Sequence, residues 1–310
     1  MSINFLKDKK FNRVVIFGSS GIISLNLQSY LKKKKIPIKV IKGSKIDLRN
    51  KNRVKQIKKI IKKNDTVVFI SAESPVKNYE MLENSLKMSI NFCEVIDFKS
   101  ISHLIYISSD AVYKDIKKPM SESSKTEPNS LHGFMHLVRE KIFKNNFKNK
   151  LLIIRPTLIY GLEDNHQGYG PNLFLTTSLQ NKNIKIFGNG EEKRDHVYIE
   201  DLIKILADCL ERRITGIINI ASGQINSFYN IAKFIKKLTK TNKKIIKLTR
   251  KGPMPHNGYR AFNINNLKKY FKNIKITLMQ EGLQKYYFKK KYENWNYRFK
   301  KKISRWKKRS

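Results

Sequence analysis

Val14–Phe17 is a run of β-branched and aromatic residues that stops at Gly18-Ser19-Ser20-Gly21. Ile22–Leu31 then repeats apolar residues at helical spacing, and Ile36–Ile41 returns to a strand pattern. Strand, glycine turn, helix and strand in that order open a dinucleotide-binding unit. The alternation continues with a basic helix over Lys51–Lys63, a buried strand at Thr66–Ile70 and a long helix at Glu80–Phe98. Leu104–Ser108 reads as a strand, Leu131–Phe143 as a helix begun near Asn129 or Ser130, and Leu151–Ile154 as a strand closed by Arg155-Pro156. Such alternation predicts an α/β fold, a Rossmann-type doubly wound parallel sheet.

Beyond residue 155 the rhythm loosens. Pro171–Leu179, Ile199–Leu210 and Phe228–Leu238 read as helices, and Ile184–Phe187 and Ile217–Ile220 as short strands. The expected division is a dinucleotide-binding domain over 1–165, a smaller substrate-binding lobe over 166–285 interleaved with it, and a tail over 286–310. The tail mixes Lys and Arg with Tyr286, Tyr287, Tyr292, Trp295, Tyr297, Phe299 and Trp306. That mixture suits the interface of an anionic membrane, or equally a solvated helix that packs some of its aromatics on its own domain.

Composition narrows the class. The 310 residues are 40% hydrophobic and 11% aromatic, enough for a folded core. No apolar run approaches the roughly 18 residues of a spanning helix, and Met1–Lys10 lacks a signal-peptide core. Cys93 and Cys209 are the only cysteines, so neither a disulfide framework nor a Cys-based zinc site is available. A cytoplasmic setting is the expectation. The net charge of +41 points first to nucleic acid, but only 13 of the 65 basic residues are arginine. Lys, Asn and Ile are in excess throughout, as a coding bias would produce, so a nucleic-acid partner is not expected.

The candidate chemistry lies in the glycine turn and four later segments. They are Ser108-Ser-Asp-Ala-Val-Tyr113, Ser130-Leu-His-Gly-Phe-Met-His136, Arg155-Pro-Thr-Leu-Ile-Tyr-Gly161, and the stretch from Gly188 to Asp201. In this order the set resembles the extended short-chain dehydrogenase/reductases, specifically the NAD-dependent epimerase/dehydratase family that acts on nucleotide sugars. The resemblance covers residues 12 to 285.

The resemblance implies NAD or NADP as cofactor. It places the dinucleotide loop on Gly18, Ser20, Gly21, Ile22 and Ile23, with Ser24 where the family has its third glycine. That swap sets a side chain where the helix packs closest, and a slight shift of the cofactor is expected. Asp47 and Leu48 match the pair flanking the adenine, Ser71 and Ala72 the pair after the fourth strand, and Pro156 a position beside the nicotinamide. NAD enzymes of the family end the second strand in an acidic residue, whereas this chain reads Ile41-Lys42-Gly43-Ser44. An ammonium there suits a 2′-phosphate.

Ser109 matches the catalytic Ser/Thr. The family's Tyr-x-x-x-Lys dyad falls on His132 and His136, and both are histidine. Three readings stay open for the pair: an altered acid–base pair, remnants in a protein without redox chemistry, or metal ligands on one helix face. No third metal ligand is evident in the sequence, and none is expected. Ala111 stands where 4,6-dehydratases carry Glu after Asp, which disfavours that dehydration. Tyr113, Asn172 and Arg194 match substrate-binding positions, the guanidinium fork suiting a diphosphate. His103, His166, His196 and His256 read as surface or supporting residues. The implied function is a nucleotide-sugar epimerase or reductase-type enzyme of surface-polysaccharide synthesis, acting as a homodimer. The alternative is a catalytically silent dinucleotide-binding protein that senses or scaffolds.

Overall fold

The computed structural model describes residues 3–6, 13–164 and 168–306, with side chains through Tyr292. The chain runs β1 (Asn4–Phe5), β2 (Val14–Phe17), α1 (Ile22–Lys33), β3 (Ile38–Ile41), α2 (Lys51–Val54), α3 (Ile57–Ile60), β4 (Asp65–Phe69) and α4 (Tyr79–Val95). It continues through β5 (Ile101–Ile107), α5 (Leu131–Phe147), β6 (Leu151–Pro156), β7 (Leu158–Tyr160), α6 (Pro171–Leu179), β8 (Ile184–Phe187), β9 (Lys193–Tyr198), α7 (Ile199–Arg212) and β10 (Ile214–Ile220). The remainder is β11 (Ile225–Ser227), α8 (Phe228–Thr239), β12 (Ile245–Leu248), β13 (Tyr259–Arg260), α9 (Asn265–Tyr270) and α10 (Met279–Trp306).

Seven strands form the central sheet in the order β1-β10-β6-β5-β4-β2-β3. Every pairing is parallel except β1 with β10 at one edge. The predicted doubly wound α/β sheet is thus the observed one. Val14–Phe17 is buried throughout, as a parallel strand covered on both faces requires. The order reverses between β2 and β4, and there Ser71 N donates to the Phe17 carbonyl at 2.9 Å. The open ends of the strands at that reversal are where a ligand sits in such sheets.

The basic segment 51–63 departs from expectation. A single helix was expected, but α2 and α3 are four residues each, with a turn between them. Only Val54 and Ile57 are buried among their residues, and apart from the half-buried Ile60 the other positions are Lys51, Asn52, Arg53, Lys58 and Lys59, so a straight helix would have little further to cover. The strand β9 escaped the sequence pattern because five of its six residues are buried although Arg194, Asp195 and His196 are polar. It pairs with β7, β11 and β13, and β8 pairs with β12.

The tail is not a separate element at its N-terminal end. Helix α10 starts at Met279 and packs Leu283 and Tyr286 into the core. The tail aromatics from Trp295 onward, on which the membrane reading drew, lie outside the described side chains. Among the described residues, no helix is long and apolar enough to cross a membrane.

Candidate active site

Gly18 ends β2 with φ +103°, and a Cβ there would lie 3.0 Å from Ser71 N. Only glycine lets the two strand ends approach so closely. Gly21 caps α1 in extended conformation, with no side-chain cap bond and no acidic residue in the first turn of the helix. The helix N-terminus is therefore free to meet an anion, and a Cβ on Gly21 would meet nothing within 4 Å.

A cavity of about 370 Å³ opens over this turn. It brings together the loop residues Gly18, Ser20, Gly21, Ile22 and Ile23 with Ser71 and Ala72 at the end of β4. Pro156, Ser109, His132 and His136 line it as well. A second cavity, of about 310 Å³, shares Gly18, Ser20, Ser71 and Ala72 and adds Asp47 and Leu48. Together they make an extended cleft with an anion-receptive helix end at the middle, which fits a dinucleotide.

The catalytic candidates are held by their elements. Ser109 caps the turn Asp110–Val112, its Oγ accepting from Ala111 N at 3.1 Å and donating to Asp110 Oδ1 at 3.3 Å. Ser130 caps α5 by accepting from Gly133 N, which aims the next residues of the helix at the cleft. Gly133 permits the contact between these two elements, since a Cβ there would stand 2.1 Å from the Ala111 carbonyl oxygen. His132 and His136 meet edge to face with ring centroids 4.7 Å apart. His132 Nδ1 accepts a long 3.5 Å bond from Val76 N, and His136 Nδ1 lies 2.7 Å from the Tyr106 hydroxyl.

Burial pushes the His132 pKa below its ordinary value; Asp110 opposes the shift and Arg139 adds to it. Burial, His132 and Arg139 push His136 well below that value. Both imidazoles are neutral at neutral pH. Among the described residues, no third His, Cys, Asp or Glu joins them in a group that could hold a metal ion.

The three residues assigned to substrate lie off this cleft. Tyr113 is 1% exposed, donates to Asn219 Oδ1 and accepts from Arg155 Nη1. Asn172 accepts from Gly161 N and donates to Asp164 Oδ2, so its amide is spent on the loop after β7. Arg194 is buried and pairs with Glu192 at 2.6 Å. His103 and His196 are fully buried rather than at the surface, His256 is half-buried beside Asp115, and His166 lies outside the described residues.

Sequence reasoning missed four residues. Arg49 bonds Asp47 and Glu73 at the mouth of the second cavity. Arg260, 2% exposed, pairs with both Asp110 and Asp115 and so anchors the residue after Ser109. Tyr106 contacts His136, and Arg139 sits buried beneath the cleft. Arg139 had a signal: positions 132, 136 and 139 share one helix face.

The profile of the NAD dependent epimerase/dehydratase family matches residues 14–221. The chain belongs to that family. This epimerase/dehydratase relative is 26% identical over 276 residues to dTDP-D-glucose 4,6-dehydratase of Dictyostelium discoideum, covering 73% of this chain and 59% of that protein. Across the first four curated relatives the matched part spans 46% to 59% of the relative's own length. Among solved structures, UDP-glucose 4-epimerase of Thermotoga maritima with UDP-glucose aligns with a TM-score of 0.78 at 18% identity, covering 90% of this chain and 99% of that one. UDP-glucose 4-epimerase of Thermus thermophilus in complex with NAD aligns with a TM-score of 0.76 at 18% identity, covering 88% and 96%. These likenesses show the shared epimerase/dehydratase fold.

Proposed function

We propose that this chain is an NAD(P)-dependent epimerase or reductase-type enzyme acting on a nucleotide sugar, in surface-polysaccharide synthesis. The observation that carries the reading is the single cleft that holds Gly18–Gly21 at one place and Ser109, His132 and His136 at another. A relative solved with NAD and another with UDP-glucose support the ligand classes. Gly18, Ser20, Gly21, Ile22 and Ile23 would hold the pyrophosphate on the end of α1, Asp47 and Leu48 the adenine, and Ser71, Ala72 and Pro156 the nicotinamide half. When bound, the dinucleotide supplies the hydride acceptor.

The chain's own residues then handle the proton. Ser109 orients the sugar hydroxyl, and the neutral imidazole of His132 takes its proton as the carbon is oxidised to a ketone. The reverse step returns proton and hydride, to the other face in an epimerase. His136 supports His132 rather than replacing the lysine charge, because it is buried and neutral. Tyr113, Asn172 and Arg194 would act on substrate only through the loops they hold. A second copy would dock on α4 and α5, which expose Ile90 and Phe134. Contact of the basic tail with an anionic membrane rests on its composition alone.

The test is absorbance at 340 nm after UDP-glucose, dTDP-glucose or ADP-heptose is added to the protein loaded with NAD or with NADP. Reduction with any of them supports the enzyme. Tight dinucleotide binding with no reduction and no epimer formed favours the silent binding protein.

A further inference from the structure

Arg139 is one of the largest side chains buried completely in this molecule. Its guanidinium is packed between rings, 5.1 Å from the Phe69 centroid and 5.2 Å from that of Tyr106. Its Nε donates to Ser89 Oγ at 2.5 Å, and its Nη2 donates to the Ser71 carbonyl at 2.6 Å. Among the described residues its Nη1 has only the Met135 sulfur, at 3.5 Å. Among the described residues no carboxylate pairs with it. The adjacent Glu140 is spent on Arg155, which it holds through both oxygens, and on Ser108. A cation buried without a counter-ion is costly, so a purely structural role would be served better by an apolar side chain.

Its neighbours show what the charge acts on. Ser71 lines both halves of the cleft. Tyr106, whose ring lies against the guanidinium, places its hydroxyl 2.7 Å from His136 Nδ1, and His136 in turn meets the edge of His132. The charged and titratable groups around the two imidazoles are few. Asp110 faces His132 from the turn after β5 and is itself paired with Arg260. Tyr106 comes from β5, Cys93 from α4 faces Arg139, and Glu140 on α5 is neutralised by Arg155.

We propose that Arg139 is the positioning cation of this site, fixing the Ser71 carbonyl on one side and the Tyr106–His136 contact on the other, so that the imidazole pair is held at the cleft. The positive charge that relatives are expected to carry at position 136 is in this chain one turn further along the same helix face and below the cleft. Burial of the phenol keeps the Tyr106 proton in place. The Tyr106 hydroxyl and His136 Nδ1, 2.7 Å apart, therefore share a hydrogen bond between two neutral groups. Arg139 opposes protonation of both rings by like charge.

This rests on the reading of His132 as the base, but its test does not need turnover. The imidazole signals of the full chain loaded with NAD are followed by NMR across pH, with His132→Phe and His136→Gln used for assignment. In the unaltered protein both rings are expected to titrate below 6.5. In Arg139→Met both midpoints are expected to rise, while Arg139→Lys keeps them low. Unmoved midpoints in a folded Arg139→Met protein overturn the proposal. Should that variant not fold, a His132 midpoint at or above 6.5 in the unaltered protein overturns it equally. A chain that converts no nucleotide sugar yet shows these shifts refutes the proposed enzyme and leaves Arg139 as the cation that sets the pair.

Discussion

Ser24 Oγ donates to the Gly18 carbonyl oxygen at 2.6 Å, across the turn that joins β2 to α1. Ser24 stands where relatives are expected to carry a third glycine, and the sequence led us to expect a shifted cofactor. The structure turns the hydroxyl back onto the loop. Gln28 Nε2 donates to the same hydroxyl at 2.9 Å and to the Ser19 carbonyl at 3.1 Å, so one helix turn braces the whole glycine loop. Ser24→Ala should therefore cost about 1 kcal/mol in urea denaturation, by removing the side-chain donor of a part-buried carbonyl. Ser24→Gly should cost about 1 kcal/mol more, from helix propensity. Equal stability of all three proteins would show that the brace contributes nothing.

Gly21 is the complementary case. The space that its missing side chain leaves is empty of protein, because it belongs to the cleft. Gly21→Val should keep the fold and lose NAD(P) affinity by at least tenfold, about 1.4 kcal/mol. Circular dichroism checks the first half and calorimetry the second. Retained tight binding would move the dinucleotide elsewhere.

His103 is fully buried on β5, its Nε2 2.8 Å from the Ile214 carbonyl, and burial drives its pKa down to about 3. A histidine lowered in the folded state is protonated first in the unfolded chain. Its contribution is present above the unfolded value near 6.5 and is lost as pH falls through the window down to about 3. Between pH 7 and 5 this one residue should remove about 2 kcal/mol of stability. His103→Gln retains a donor for the carbonyl and cannot be protonated, so it should flatten that part of the profile. An unchanged slope of stability against pH would place the acid sensitivity in other groups.

The sheet, the glycine turn and the helix carrying the two histidines were legible because each is a local pattern. β-branched runs, a turn of small residues and a Ser cap are written in neighbouring positions, and α6 and β8 fell on the predicted residues. What was not legible depends on distant partners. Arg139 looks like an ordinary charge on an amphipathic helix until β4 and α4 close over it. Asn172 looks like a ligand residue until Gly161 and Asp164 are seen to occupy its amide. Position 136 reads as a lysine replaced by histidine, which suggests that His136→Lys would repair the site. With Arg139 buried nearby, that substitution should instead lower the melting temperature by setting two cations together in a dry interior. A variant as stable as the parent would count against the pairing of charge and site described above.

The strongest test of the chemistry is at His132. It lines the cleft beside Ser109 and Asp110, and its ring is neutral at pH 7 because burial and Arg139 outweigh the pull of Asp110. A base must be unprotonated to act, so the rate should hold through neutral pH and fall only as pH drops through a value below 6.5. His132→Phe keeps a ring of similar size and removes the acceptor. It should lower kcat by on the order of 10²–10⁴ with dinucleotide affinity unchanged, and abolish the acid limb. Asp110→Asn removes the one nearby carboxylate that favours the imidazolium, so the acid limb should move to still lower pH. Rate–pH profiles of the three proteins separate these outcomes. If His132→Phe turns over like the parent, the proton goes to another group, and Ser109 with Asp110 becomes the place to look.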